Sequence, residues 1–195
     1  MKRLIFTSML LFLSLNIVVA ARPFSFGFGF IAERKESNEN IEIGDFKASE
    51  YKMGAEARLK VAFVEGSVSA LLDEDNSAIE TLFTFGLNLN IFKVFDLALG
   101  VGPKFSYNFT EDRDPYWSRS DNQNSYGEVG SFGEAFKEGI FHYRAHTDFV
   151  LGPLSAGLYW SVPTQGFSFC SNNFSQFLPE WDQLKMGISL MLYLI

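Results

Sequence analysis

Between residues 51 and 63 the chain reads YKMGAEARLKVAF. Its odd positions are apolar or small (Tyr51, Met53, Ala55, Ala57, Leu59, Val61, Phe63), and its even positions are mostly polar or glycine (Lys52, Gly54, Glu56, Arg58, Lys60). A period of two predicts a strand with one apolar and one polar face. The pattern recurs along the chain. Phe24, Phe26, Phe28 and Phe30 alternate with Ser25, Gly27 and Gly29 in a first strand. The second closes near residue 64 at a turn through Glu65 and Gly66, and a weaker third covers 67–73 with Val68, Ala70 and Leu72 on one side. In the fourth, Phe83, Phe85, Leu87, Leu89 and Ile91 oppose Thr84, Gly86, Asn88 and Asn90. The fifth sets Phe95, Leu97, Leu99, Val101, Phe105, Tyr107 and Phe109 against Asp96, Ala98, Gly100, Gly102, Lys104, Ser106 and Asn108. The sixth sets Phe141, Tyr143, Ala145, Thr147, Phe149 and Leu151 against His142, Arg144, His146 and Asp148. A seventh runs over 154–162, and an eighth reaches the C-terminus with Leu184, Met186, Ile188, Leu190, Leu192 and Leu194 on one face.

The connections alternate in length. Polar stretches at 33–50, 73–80, 110–139 and 163–182 are long, whereas the turns at Glu65-Gly66, Lys93 and Gly152-Pro153 are short. Tight turns make neighbouring strands antiparallel, so the long loops gather at one end and both termini at the other. The fold class expected is all-β: an eight-stranded antiparallel up-and-down barrel, with no second domain and no linker.

The first 21 residues, MKRLIFTSMLLFLSLNIVVAA, stand apart from this pattern. Lys2 and Arg3 precede an apolar core from Leu4 to Val19, and small residues allow cleavage after Ala20 or Ala21. This is the layout of a secretory signal peptide, leaving 22–195 as the mature barrel. No later apolar run is long enough to span a bilayer as a helix, so a membrane-embedded mature chain must be a closed sheet.

Periodicity alone leaves two orientations open. A soluble lipocalin-like barrel encloses its apolar face, and a membrane barrel turns that face to lipid. Volume separates them. Eight strands leave little room inside, and here the apolar face carries Phe, Leu, Tyr and Trp while the other carries glycines with Ser, Thr and Asn. The large residues therefore belong outside. The apolar set also contains no charged residue. Aromatic residues recur at strand ends, with Tyr51, Phe83, Tyr107, Phe109, Phe141 and Trp160 toward the long loops and Phe24, Phe63 and Phe95 toward the turns. Such lipid-facing girdles mark the two interfaces of a membrane.

On the signal peptide, the alternation, the loop asymmetry and the final strand MLYLI, the chain resembles the small eight-stranded outer-membrane barrels of Gram-negative bacteria, the group of the OmpA transmembrane domain, OmpX and the OmpW-like proteins. The resemblance covers the whole mature chain. It implies an outer-membrane location, lipid and lipopolysaccharide around the wall, and recognition of the last strand by the barrel-assembly machinery. Ile195 departs from the aromatic terminus usual in the group. Pro103 deletes a ladder hydrogen bond and predicts a bulge.

The face assigned to the lumen carries Lys52, Glu56, Arg58, Lys60, Asp96, Lys104, Arg144, Asp148 and Lys185, with His142 and His146. Glu33, Glu50 and Asp73 share that face near the long-loop rim, so six bases meet six acids. Buried charges demand partners, which predicts an ion-pair network filling the barrel and a structural or surface-contact role. A narrow conduit lined by Arg58, Lys60 and Lys104 is the alternative; by resemblance to OmpW-like proteins it would take small hydrophobic compounds. A lipid-modifying enzyme is the third reading. His146 and Asp148 share a strand face, as a base and its orienting carboxylate do, but no serine nucleophile is identifiable beside them. The last long loop concentrates Phe167, Phe169, Phe174, Phe177 and Trp181 around Cys170, either as a contact surface for a partner or lipopolysaccharide or as a small core packed over the barrel mouth. No cofactor is expected. A lone cysteine and no ligand spacing argue against a structural metal, and a formal net charge of −7 without a basic run argues against nucleic acid.

Overall fold

A strand buried on one face must place that face somewhere, and eight alternating strands do so by closing on themselves. The computed structural model describes residues 24–35, 47–91, 94–109, 114–119 and 127–194. The signal segment, the turn at Lys93 and Ile195 lie outside the described residues. The strands are β1 (Phe24–Arg34), β2 (Tyr51–Val61), β3 (Val64–Asp73), β4 (Ala78–Ile91), β5 (Phe95–Asn108), β6 (Tyr116–Arg119), β7 (Gly127–Val129), β8 (Ile140–Leu151), β9 (Leu154–Pro163) and β10 (Lys185–Leu194). All pairings are antiparallel, and the barrel closes in the order β1-β2-β3-β4-β5-β8-β9-β10, with β10 returning to β1.

The wall is inside out relative to a soluble protein. Phe30 is 76% exposed and Phe85 68%, whereas Arg58 and Asp148 are fully enclosed. Only hydrocarbon accommodates an exterior of this kind around a closed, edge-free sheet. The fold is that of an eight-stranded transmembrane barrel.

Four features differ from the sequence expectations. The chain turns at Ala62 and Phe63, not at Glu65 and Gly66, and Ala62 adopts a left-handed φ of 54°. Glu65 is thereby drawn into β3 with its side chain buried. The expected loop at 73–80 shrinks to the turn 74–77, and β4 begins at Ala78. Pro103 causes no bulge: Leu82 pairs with Lys104 and Phe85 with Val101, which is one unbroken register across the proline. Losing one donor costs less than shifting every side chain beyond it to the wrong face.

The fourth difference is the content of the longest connection. It holds the hairpin β6–β7 and a helix α1 (Phe132–Glu138) capped by the hydroxyl of Ser131, which accepts from the Glu134 amide. Strand β5 serves two partners in turn. Its lower part, through Lys104, pairs with β8, and Phe105 to Asn108 pair with β6. Beyond Lys104 the sheet thus continues above the barrel through β6 and β7.

Candidate functional site

The side chains that point to the axis form three tiers. At the long-loop end, Lys52 Nζ lies 2.6 Å from Asp73 and 2.8 Å from Glu80. Lys104 lies 2.9 Å from Glu80 and 3.8 Å from Glu33. Lys185 is half-buried beside Lys104, Glu33 and Glu80. His142 faces Ser161, with Nδ1 3.4 Å from the hydroxyl.

The middle tier is the most enclosed. Arg58 donates to Asp148 through one terminal nitrogen and to Glu56, at 3.0 Å, through the other. Arg144 donates to the same Glu56 oxygen at 2.8 Å and to Ser69 at 3.0 Å. Ser189 donates to Asp148 at 3.2 Å. Planar guanidinium groups suit such shared carboxylates because each presents several fixed donors.

At the turn end, Lys60 lies 2.6 Å from Asp96 and 3.6 Å from Glu65. Asn90 donates to Asp96 at 2.5 Å and Asn88 to Glu65 at 3.1 Å. His146 joins this tier to the middle one, with Nε2 3.6 Å from both Glu65 and Asp148.

Missing Cβ atoms make room for this content. Tyr159 pairs across the ladder with Gly187 and Tyr193 with Gly27, and each ring occupies the space a Cβ of its glycine would take. The Arg144 guanidinium then stacks 4.1 Å above the Tyr159 ring, and the Lys60 ammonium 4.5 Å above that of Tyr193. At Gly157 the Asp148 carboxylate lies directly where a Cβ would be. Little space is left. A cavity of about 20 Å³ borders Ser25, Lys60, Asn88 and Asp96, and one of about 10 Å³ borders Glu65, Arg144 and His146. The larger holds about one water molecule.

Of the residues expected in the lumen, Lys52, Glu56, Arg58, Lys60, Asp96, Lys104, His142, Arg144, His146 and Asp148 are all buried there, as are Glu33 and Asp73. Glu50 is not. It sits in the single helical turn Ala48–Glu50, 3.7 Å from Lys47, outside the network. Two carboxylates that sequence reasoning left out, Glu65 and Glu80, complete the tiers, so six bases meet seven acids. Counting in twos back from Asp73 finds Glu65, and counting back from Asn88 finds Glu80.

The pair His146 and Asp148 does not form a hydrolytic constellation. The nearby Ser189 hydroxyl bonds to Asp148 and not to the imidazole, and all three residues are at most 5% exposed.

Outside the wall the strand-end aromatics divide. Phe24, Phe63 and Phe95 are exposed at the turn end, as is Phe109 at the loop end, while Tyr51 and Trp160 are half-buried. Phe83, Tyr107 and Phe141 point outward but meet protein, not open surface. Phe83 and Phe105 lie under Phe132 and Phe136 of α1. Tyr107 packs on Trp117, with centroids 4.8 Å apart. Phe141 is covered by Phe167, Phe169 and Phe177 of the last long loop. The Tyr143 hydroxyl ties that loop down by donating to the carbonyl of Phe177 at 2.8 Å. The small loop core expected over the barrel mouth lies against the wall instead: Phe167, Phe169 and Phe177 pack on Phe141 and Tyr143 of β8, and Phe174 packs on Phe167 and Phe177.

No family model matches the sequence, and no curated protein matches it significantly. Among solved structures the chain is similar to the crystal structure of Ail, the attachment invasion locus protein of Yersinia pestis, at 13% identity and a TM-score of 0.43, over 87% of this chain and 95% of that one. It is also similar to the same protein in complex with the heparin analogue sucrose octasulfate, at 12% identity and a TM-score of 0.41, over the same shares. Closed barrels of this size and polarity are structures of the bacterial outer membrane, and the chain is placed there on its own geometry.

Proposed function

We propose that this chain is a structural or surface-contact barrel of the outer membrane, with a filled lumen and no transport or catalytic role. In this reading residues 1–21 are a cleaved signal and 22–195 the mature barrel. Its partners are membrane lipids and lipopolysaccharide along the wall, the assembly machinery at the last strand, and an external partner at the loops; nucleic acid is not among them. The observation that carries the reading is the ion pairing of the three tiers across the lumen, with cavities of only about 20 and 10 Å³ beside Lys60 and Arg144. An open path would require several buried ion pairs to separate together, each at a cost of several kcal/mol. The enclosure of His146, Asp148 and Ser189 supports the non-enzymatic part, because a lipid ester has no route to them.

Planar-bilayer recording of the mature chain tests this. The expected result is a flat baseline. Discrete, reproducible conductance steps would overturn the filled lumen in favour of a conduit.

A further inference from the structure

Helix α1 and the segment 167–181 both pack against the outer wall of the barrel. We infer that α1 and the segment 167–181 form an aromatic apron that dips into the lipid boundary of the outer leaflet, on the flank of the barrel made by β4, β5 and β8. The inference rests on the membrane reading above and adds to it the assignment of these loops to lipid.

The apron is a continuous chain of rings on the outer wall. Phe132 reaches Trp117 at 5.3 Å, Phe136 stacks on Phe169 at 5.6 Å, and Phe167 meets Phe177 at 5.0 Å. It joins the lipid-facing belt without a polar break, because its floor is made of outward residues of β4, β5 and β8. Its outer surface is amphipathic: Phe132, Phe169, Phe174, Leu178 and Trp181 are 46–75% exposed, beside exposed Glu134, Lys137, Asn172, Asn173 and Ser175, the mixture that suits a headgroup boundary. A patch of this kind on the rim of a membrane barrel has hydrocarbon beside it and needs no further partner.

Height agrees. Phe105 stands ten residues above Phe95, the turn-end aromatic of the same strand. At about 3.3 Å per residue and a tilt of about 40°, that is about 25 Å, the height of a barrel's apolar band. Phe141 pairs with Pro103, two residues lower. The floor of the apron therefore lies at the upper edge of the band. On the other flank the same distance along β1 reaches Arg34, next to Lys35 and its ion pair with Asp75. On that flank the described residues at this height, Arg34, Lys35 and Asp75, are polar.

The test uses the full mature chain in phosphatidylcholine vesicles, in two single-tryptophan forms. Trp117→Phe with Trp160→Phe leaves Trp181 in the apron, and Trp117→Phe with Trp181→Phe leaves Trp160 on the outer face of β9. A heat-dependent gel shift verifies that each has folded. Lipid brominated on the upper acyl chain is expected to quench Trp181 to within about twofold of Trp160, and aqueous iodide to quench it about threefold less than in the urea-unfolded chain, as for a group sunk below the headgroups. Free iodide quenching of Trp181 with no bromolipid effect, while Trp160 still responds to bromolipid, overturns the apron alone. A Trp160 untouched by bromolipid overturns the membrane reading and the apron with it. A spin label at Phe174→Cys, made with Cys170→Ser, tests the apron without altering any tryptophan. Faster collision with oxygen than with a water-soluble nickel chelate supports it, and the reverse overturns it.

Discussion

Arg58 in the lumen and Phe105 on the outer wall are equally hidden from solvent, both at 0% exposure. They are hidden by opposite means. Arg58 is enclosed by the carboxylates of Glu56 and Asp148, and Phe105 by the rings of Phe83, Trp117, Phe132 and Phe136. In a soluble domain the second kind of burial makes the core and the first is the exception. Here the charged region is the core, and the apolar region is a thin layer between wall and lipid. The lumen must satisfy each charge individually, so its tolerance for change is low. The apron depends on summed contact and can lose one member without a stranded charge.

Substitutions can break that comparison. The largest effect is expected at Arg58→Leu, which takes the guanidinium partner from Asp148 and leaves Glu56 to Arg144 alone, and should cost about 3–5 kcal/mol of unfolding free energy in urea titrations of the vesicle-refolded barrel. Combining Arg58→Met with Asp148→Leu should recover much of that loss, since a buried pair replaced whole is often neutral. Equal midpoints for the single and double variants would show that the pair is not acting as a unit. Leu99→Arg, on the outer face of β5, tests the lipid side. About 2–4 kcal/mol is expected near the bilayer midplane, and an unchanged urea midpoint would place Leu99 outside hydrocarbon.

Within the apron the effects shrink. Phe132→Ala removes ring contacts with Phe83, Phe105, Trp117 and Phe136. It should cost about 1–2 kcal/mol, seen as faster amide exchange over 132–138 while the barrel strands keep their protection. The smallest change belongs to the rim pair of half-buried Lys35 and exposed Asp75, separated by 2.7 Å. Lys35→Ala should cost less than about 1 kcal/mol. The same truncation at Lys52, 2.6 Å from the buried Asp73, should cost several times more. The two pairs are nearly equal in length, but Lys52 is buried and also holds Glu80.

The apolar and polar faces of the barrel strands were legible in the sequence because alternation is local. The bulge at Pro103 and the turn at Glu65-Gly66 were misread for one reason. Local chemistry favoured both, and register overruled it. A turn at Glu65 would have taken that carboxylate away from Lys60 and Asn88, so the chain accepts a left-handed Ala62 instead. Glu50 was misplaced because it lies past the start of β2, where parity no longer applies. The aromatic richness of the last long loop was visible, but not which side of the wall it would cover.

The sequence by itself determined the strand count of the barrel, the inward and outward faces and thereby the surrounding solvent, since each follows from a repeat of two residues and the sizes of the side chains on each face. The tertiary structure decided which charge meets which and where the loops dock. Arg58 and Asp148 are 90 residues apart in the chain, and Phe136 meets Phe169 only because β5 leaves β8 above Lys104. Contacts of that kind depend on the stagger of strands around a closed ring, which no single segment encodes.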